Sequence, residues 1–308
     1  MTEGNITGTN FEIVGFQLTQ TQGSILFLFF LLIYILSTST NILIITVVRT
    51  DRHLHKPMYF FLSNFSFLEI WYTSVTVPRM LADFLSKSRS ISRNGCITQF
   101  YFLFFLGATE NFLLAVMSLD RFVAICYPLR YPAVMNDKMC SNLALASWII
   151  SFLVILMPAI PLSQLPFCRP FVIDHIFCDF SPLLKLSCKR NSISEMSFLL
   201  IAWAVILGCF TSIMVSYSFI ILTVIKMPSA AGRKHAFTTC ASHLLVVFIY
   251  YGTVIFMYVR PSAHESYNLD KVVSVFYCAV TPLLNPIIYS LRNKEVKTAL
   301  RRMIIKLK

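Results

Sequence analysis

The chain has 308 residues, of which 56% are hydrophobic and only 13% are charged. Soluble domains carry about 25% charged residues, so this composition excludes a soluble protein and predicts one membrane-embedded bundle. The net charge of +12 would suit a nucleic-acid-binding protein, but the distribution of the basic residues, given below, argues against that class.

Residues 1–23 form a polar segment without the basic start of a cleavable signal peptide. The sequence Asn5-Ile6-Thr7 is a glycosylation sequon, so Asn5 is a predicted glycan site at an extracellular end. We interpret 1–23 as an extracellular N-terminus and the apolar segment after it as an uncleaved signal anchor.

Seven apolar segments follow, each long enough to cross a bilayer, which takes about 20 residues. They lie near 24–48, 58–84, 96–120, 139–161, 195–226, 235–259 and 270–291. In the remaining 292–308, Val296, Leu300 and Ile304 recur at helical spacing opposite basic residues, which predicts a cytoplasmic amphipathic helix on the membrane. The predicted fold is all-α: a single seven-transmembrane helix bundle over 1–308 with a short amphipathic eighth helix.

The basic residues set the predicted orientation, because cytoplasmic loops carry an excess of Lys and Arg. With the N-terminus outside, most of the 26 basic residues fall in the inner loops and the C-terminal tail. This distribution explains the net charge without nucleic acid. It also places four cysteines outside, and an even number in an oxidising compartment predicts disulfides with three pairings open. These cysteines are Cys96, Cys168, Cys178 and Cys188.

Charged residues within membrane spans are costly and therefore mark candidate functional positions. Asp120 and Arg121 are adjacent at the end of the third span, where they can neutralise each other; the alternative is an arginine that snorkels to the interface. Glu69 and Glu110 lie in the second and third spans. Two carboxylates buried close together need a cation or a shared proton, so both a sodium site and a protonated pair remain open.

Five segments carry a family resemblance. They are LHKPMYFFLSNFSFLE (54–69), MSLDRFVAICYPLRY (117–131), SY (216–217), HAFTTCASHL (235–244) and PLLNPIIYSLRN (282–293). With the seven spans, they resemble the signature segments of olfactory receptors within the rhodopsin-like G-protein-coupled receptors. The class II tetrapod type, which detects airborne odorants, is the closer match. The chain departs from the family pattern at Thr40, Glu69, Leu119 and Phe122.

The resemblance implies a receptor and not an enzyme. It implies that small, neutral, mostly apolar volatile odorants bind in a transmembrane pocket and activate a stimulatory olfactory-type G protein, which raises cAMP. The expected location is the plasma membrane of olfactory cilia, with membrane lipids as further partners and no nucleic acid. No metal or cofactor is expected except an allosteric sodium ion near Glu69, Glu110 and Asn285.

The resemblance also implies an activation switch at the inner face. Arg121 would leave Asp120 and move toward Tyr217, while His243 and Tyr289 repack. On the outer face it implies the disulfides Cys96–Cys178 and Cys168–Cys188.

The outer halves of the third, fifth and sixth spans are expected to line the ligand pocket. The candidates are mostly apolar with a few polar groups, as in most small-molecule sites. Leu103 stands where amine receptors hold a carboxylate, so cationic amines are not expected. The candidates are Leu103, Phe104, Gly107, Ala108, Asn111, Ile201, Ala202, Val205, Tyr251, Val254, Ile255 and Tyr258.

Two other functions remain as alternatives: a receptor of this fold for another small endogenous ligand, and a transporter or channel. Only two acidic residues within the spans and no visible internal repeat argue against transport. A zinc site at Cys240 and His243, or at His175 and Cys178, would offer two ligands where zinc takes four.

Overall fold

The computed structural model describes residues 10–86, 88–168, 171–188, 192–258, 267–292 and 294–306. The predicted glycan site Asn5 lies outside these residues. In chain order, the helices are α1 (Gln20–Thr50), α2 (Pro57–Leu85), α3 (Arg93–Cys126), α4 (Tyr131–Val134), α5 (Asp137–Gln164), α6 (Phe180–Lys185), α7 (Ser192–Ile225), α8 (Ala230–Tyr258), α9 (Tyr267–Val275), α10 (Thr281–Arg292) and α11 (Lys294–Lys306). A π-helical turn, Phe276–Val280, joins α9 to α10 into one membrane-length element.

Side-chain caps explain why several helices begin before the apolar runs that predicted them. The Thr19 hydroxyl accepts from the Gln22 backbone N–H, and the Gln22 side chain accepts from the Thr19 N–H. The side chains of Ser92 and Asn136 each accept one backbone N–H at the start of α3 and α5. Each cap satisfies a backbone donor that the first turn of a helix leaves free, so the helices extend into polar sequence.

The outward faces of the long helices are apolar. Leu28 on α1, Met157 on α5 and Ile225 on α7 are each 65% exposed, an arrangement that suits lipid and would be costly in water. Within the described residues, six helices are long and apolar enough to cross a membrane by composition. The helix α2 has 29 residues, which at 1.5 Å each extend about 43 Å, but its polar residues lower its hydropathy. These include Ser66, Glu69 and Thr73, all buried in the bundle.

A small sheet and two disulfides cover one end of the bundle. Strand β1 (Asn10–Ile13) lies in the middle, antiparallel to β2 (Ser90–Ser92) and parallel to β3 (Val172–Ile173). The disulfides join Cys96 to Cys178 and Cys168 to Cys188, the pairings that the family resemblance implied. Phe11 and Ile13 of β1 are buried in an apolar cluster with both half-cystines of the first bridge.

A salt bridge ties this cover to the seventh membrane element. The Lys271 ammonium of α9 lies 2.5 Å from Oδ1 of Asp174, next to β3, and donates to the Gly15 carbonyl at 2.8 Å. Only 6% of the Lys271 side chain is exposed. Because a buried charge needs partners, this contact fixes the N-terminal segment and the β3 loop to one helix.

At the opposite end, α11 packs against the loop between α1 and α2. Val296 and Ala299 are buried, Lys56 pairs with Glu295 at 2.8 Å, and Arg302 pairs with Asp51 at 3.2 Å. The apolar face of α11 is therefore covered in part by the bundle.

Candidate functional site

An apolar cavity lies between α2, α3, α5, α7, α8 and the π-helical turn. The empty space between its atoms, open mouth included, is about 630 Å³. Predicted residues that line it are Leu103, Phe104, Gly107, Ala108, Asn111, Ile201, Ala202, Val205 and Val254. Sequence reasoning missed Tyr72, Ile155, Phe198, Ile206, Tyr250 and Tyr277, which also line it. None of these lining side chains is charged.

The sixth predicted span contributes a different face from the one expected. Tyr250 and Val254 line the cavity, whereas Tyr251 and Ile255 are not among the residues that line it. Adjacent helical residues differ by about 100° around the axis, so Tyr251 turns toward α7, with its ring 5.1 Å from that of Phe210. The remaining candidate, Tyr258, ends α8, and its side chain lies outside the described residues.

One end of the cavity is polar. The Asn111 amide nitrogen donates to the Gly107 carbonyl at 2.9 Å and to the Tyr250 hydroxyl at 2.8 Å. The Tyr250 hydroxyl in turn donates to the same carbonyl at 3.0 Å. This triangle links α3 to α8 through groups that line the cavity.

Aromatic residues of the loop between α5 and α7 pack behind the cavity wall. The ring of Phe180 stacks on that of the lining residue Phe198, with 3.7 Å between the ring centroids. The ring of Phe177 lies edge-on to that of the lining residue Tyr277, with 6.3 Å between the centroids. The Gln99 side chain accepts from the Cys178 backbone N–H at 3.1 Å. This loop therefore supports the cavity wall from behind.

The imidazole of His175 is buried beside the same loop. Burial, and next the nearby Lys271 charge, lower the pKa of His175 to about 4. The imidazole is therefore uncharged at neutral pH. Its Nε2 lies 3.4 Å from the Ser274 hydroxyl of α9.

Two carboxylates lie deeper in the bundle. Glu69 and Glu110 are 1% and 4% exposed, and the Asn285 amide nitrogen donates to Oε1 of Glu69. Among the described residues, Oε2 of Glu69 and Oδ1 of Asn285 have no hydrogen-bond partner. Oδ1 of Asn41, whose amide donates to the Pro282 carbonyl at 3.3 Å, also has none.

At the end of the bundle that carries α11, the inner end of the predicted orientation, Arg121 pairs with the carboxylate of Asp120. Its Nε lies 2.9 Å from Oδ2, and the Tyr131 hydroxyl donates to Oδ1 at 2.7 Å. Burial and then the Asp120 charge raise the pKa of Tyr131, so its hydroxyl keeps its proton. The side chain of Asp120 is 1% exposed and that of Arg121 is 12% exposed, so the pair is largely desolvated.

The other switch candidates lie around the same end. The Tyr217 hydroxyl forms a hydrogen bond with Nδ1 of His243 at 2.7 Å, and the two rings stack with 5.7 Å between their centroids. Tyr289 is 6% exposed, with its ring 6.3 Å from that of Phe65. Arg121, His243 and Tyr289 line an inner cleft of about 2110 Å³, its mouth included. In this structure Tyr217 is thus bonded to His243 while Arg121 is bonded to Asp120.

Comparison with known proteins identifies the family. Residues 30–307 match the olfactory receptor family model. The chain is 49% identical over 298 residues to olfactory receptor 11L1 of Homo sapiens, covering 97% of this chain and 92% of that protein. It is 50% identical over 294 residues to olfactory receptor 287 of Rattus norvegicus, covering 96% and 94%. The chain belongs to the olfactory receptor family.

Olfactory receptors are seven-transmembrane G-protein-coupled receptors and not enzymes. This chain is therefore a multi-pass membrane protein with the role of an odorant receptor, and both the recognition of the family and the predicted fold class are confirmed. Six candidate spans among the described residues leave one span of the family fold, and α2, at 29 residues, is long enough to supply it.

Proposed function

We propose that this olfactory receptor binds small, neutral, mostly apolar volatiles in the cavity between α3, α7 and α8. Binding activates a stimulatory olfactory-type G protein, and the G protein raises cAMP. One observation carries the proposal: the cavity is mostly apolar, with uncharged polar groups on its wall such as Asn111, Tyr72 and Tyr277. Such a wall suits a neutral ligand, because an uncompensated charge would be expensive to bury there.

The helix α8 connects the cavity to the inner cleft. Tyr250 and Val254 line the cavity, while His243, about two turns away, lines the cleft. A ligand that prefers one position of α8 therefore biases the groups around Arg121. The shift can be no larger than the difference between the ligand's affinities for the two states.

The inner cleft is the proposed G-protein site. Lys56, Arg121 and Lys234 line it together with Glu295, so its lining is basic. The loop after α3 adds an exposed apolar contact, since Leu129 is 97% exposed. We assign Pro128, Leu129, Arg130 and Tyr131 to the surface that meets the G protein.

The cavity can be tested by filling it. A Cβ built on Gly107, which lines the cavity, meets no atom within 4 Å. We expect the Gly107→Leu variant to fold, because leucine also has a higher helix propensity than glycine. It should lose at least about tenfold in odorant potency, a free energy of about 1.4 kcal/mol. The measurement is a cAMP reporter screen against a chemically diverse odorant panel.

The matched control for this screen is Gly208→Leu. A Cβ on Gly208 also meets no atom within 4 Å, but Gly208 is exposed on α7 and does not line the cavity. Equal losses in both variants would contradict the cavity as the binding site. Odorant-independent ion flux in reconstituted vesicles would favour a channel, and a response only to a non-volatile ligand would favour another receptor function.

The carboxylates Glu69 and Glu110, with Asn285, are the proposed sodium site, and a shared proton is the alternative. Oxygen atoms without partners on Glu69, Asn285 and Asn41 support a hard cation, which takes oxygen ligands. Sodium should then change odorant potency when NaCl replaces choline chloride. The Glu110→Gln variant should lose that dependence, whereas a wild-type receptor indifferent to sodium favours the shared proton.

The proposed location is the plasma membrane of olfactory cilia, with the N-terminus outside. Both disulfides and the sheet lie at the end opposite α11, and disulfides persist in oxidising compartments. An antibody against a tag placed before Asn5 should stain intact cells.

A further inference from the structure

The side-chain amide of Asn111 has a fixed orientation. Its nitrogen faces the Gly107 carbonyl, an acceptor without a proton to give. Rotating the amide by 180° would bring two carbonyl oxygens together, so the nitrogen and oxygen of this residue are assigned by the hydrogen-bond network. Tyr250 is consistent with this assignment, because its hydroxyl accepts from Asn111 while donating to Gly107.

This orientation leaves one acceptor unused. Asn111 is 3% exposed and lines the cavity, and its Oδ1 has no hydrogen-bond partner among the described residues. Buried amide oxygens are nearly always paired, because an unpaired one loses its hydration without compensation. The Gly107 carbonyl has no proton to give, and the Tyr250 hydroxyl donates its single proton to that carbonyl, so neither group donates to Oδ1 of Asn111.

We propose that Asn111 selects ligands that donate a hydrogen bond, so that the preferred odorants are alcohols and phenols rather than ethers, esters or ketones. This rests on the proposed function, since it concerns the same cavity. The rest of the wall is mostly apolar and holds the hydrocarbon part of the ligand. A hydroxyl bound at Asn111 would also lie against the triangle that joins α3 to α8, the helix that reaches the inner cleft.

The selectivity has a physical basis in the unpaired oxygen. A site built to hydrogen-bond a hydroxyl rejects an analogue without it, because the polar group of the protein then stays buried and unpaired. A methyl ether of the same formula has nearly the same size and hydrophobicity as the alcohol but no proton to donate. The two isomers therefore differ mainly in the contact to Oδ1 of Asn111.

The test uses isomeric pairs in the cAMP assay: octanol with heptyl methyl ether, ethylphenol with methylanisole, and terpineol with cineole. Esters and ketones of similar size complete the panel. In every pair that activates the wild-type receptor, we expect the alcohol or phenol to be at least about tenfold more potent, the typical cost of one lost buried hydrogen bond. Ethers as potent as their isomers, or activation by ethers, esters and ketones alone, overturn the selectivity and leave the proposed function standing. A surface-expressed receptor that answers no volatile contradicts the proposed function itself.

The Asn111→Leu variant adds a second, independent readout. Leucine removes the unpaired oxygen, and the Gly107 carbonyl keeps its bond from Tyr250. We expect the potency ratio within each pair to fall to about one, while the thermal unfolding temperature of the ligand-free receptor in nanodiscs does not decrease. An unchanged ratio in this variant means that an ordered water, and not the ligand, serves Oδ1, and it overturns the assignment. The wild-type comparison decides the question alone if the variant does not reach the cell surface.

Discussion

The Arg121→Ala variant is expected to reach the cell surface and to raise no cAMP at any odorant concentration. Arg121 lines the inner cleft and forms an ion pair with Asp120. A guanidinium presents five donors in a planar fork, which suits it to exchange one acceptor for another in the proposed switch. Alanine leaves the proposed odorant cavity intact but removes the Arg121 cation from the proposed G-protein cleft, so the loss should be complete.

This test must separate signalling from folding. Removing Arg121 leaves the buried Asp120 carboxylate without its cation, and such a charge can cost about 3–5 kcal/mol. The double variant Asp120→Asn with Arg121→Ala avoids that charge and should also be silent. Lys138→Ala, which removes an exposed cation of α5, is the matched control and should signal normally. Odorant-evoked cAMP from either Arg121 variant, at surface levels equal to wild type, contradicts the assigned role.

The helices of the bundle could be predicted from sequence because each apolar run has only one stable form in lipid, with every backbone group bonded within the segment. Their ends were harder to predict, since capping by Ser92 and Asn136 extends α3 and α5 into polar sequence. The sheet was not predicted at all. Strand β1 has four residues, and its partners Ile91 and Val172 lie far away in the chain, so pairing depends on tertiary contacts.

The residues of the cavity likewise fall into those that could be predicted from the sequence and those that could not. The lining residues of α3, and Ile201, Ala202 and Val205 of α7, were predicted because they share a helix face with a regular period, whereas Phe198 and Ile206 of α7 were missed. Tyr250 was missed in favour of its neighbour Tyr251, because both are aromatic and only packing against Phe210 and Asn111 decides which one turns inward. Tyr277 was missed because it lies on the π-helical turn Phe276–Val280. A π turn shifts the helical phase by one residue, which a period of 3.6 does not anticipate.

The two disulfides are expected to differ in their contribution to stability. Cys96 and Cys178 are 82 residues apart, and Cys168 and Cys188 are 20 apart. In the chain-entropy description, the longer loop gives an upper estimate of about 4.5 kcal/mol and the shorter loop about 3 kcal/mol. Helices that persist in the unfolded state in lipid reduce both values, but they do not reverse the order.

The burial of the Cys96–Cys178 bridge adds to the difference in stability that the two disulfides contribute. Cys96 and Cys178 are 0% exposed, and they share an apolar cluster with Phe100 and Phe180, which pack on Phe198 of the cavity wall. Cys168 and Cys188 are exposed at the rim of the loop. The double variant Cys96→Ala with Cys178→Ala should therefore lower both surface expression and the unfolding temperature in nanodiscs, and it should weaken odorant potency in the molecules that remain. The double variant Cys168→Ala with Cys188→Ala is the control, and it should keep potency near wild type with a smaller loss of stability. Equal losses of potency in the two double variants would mean that the rim bridge also shapes the cavity wall, contrary to this assignment.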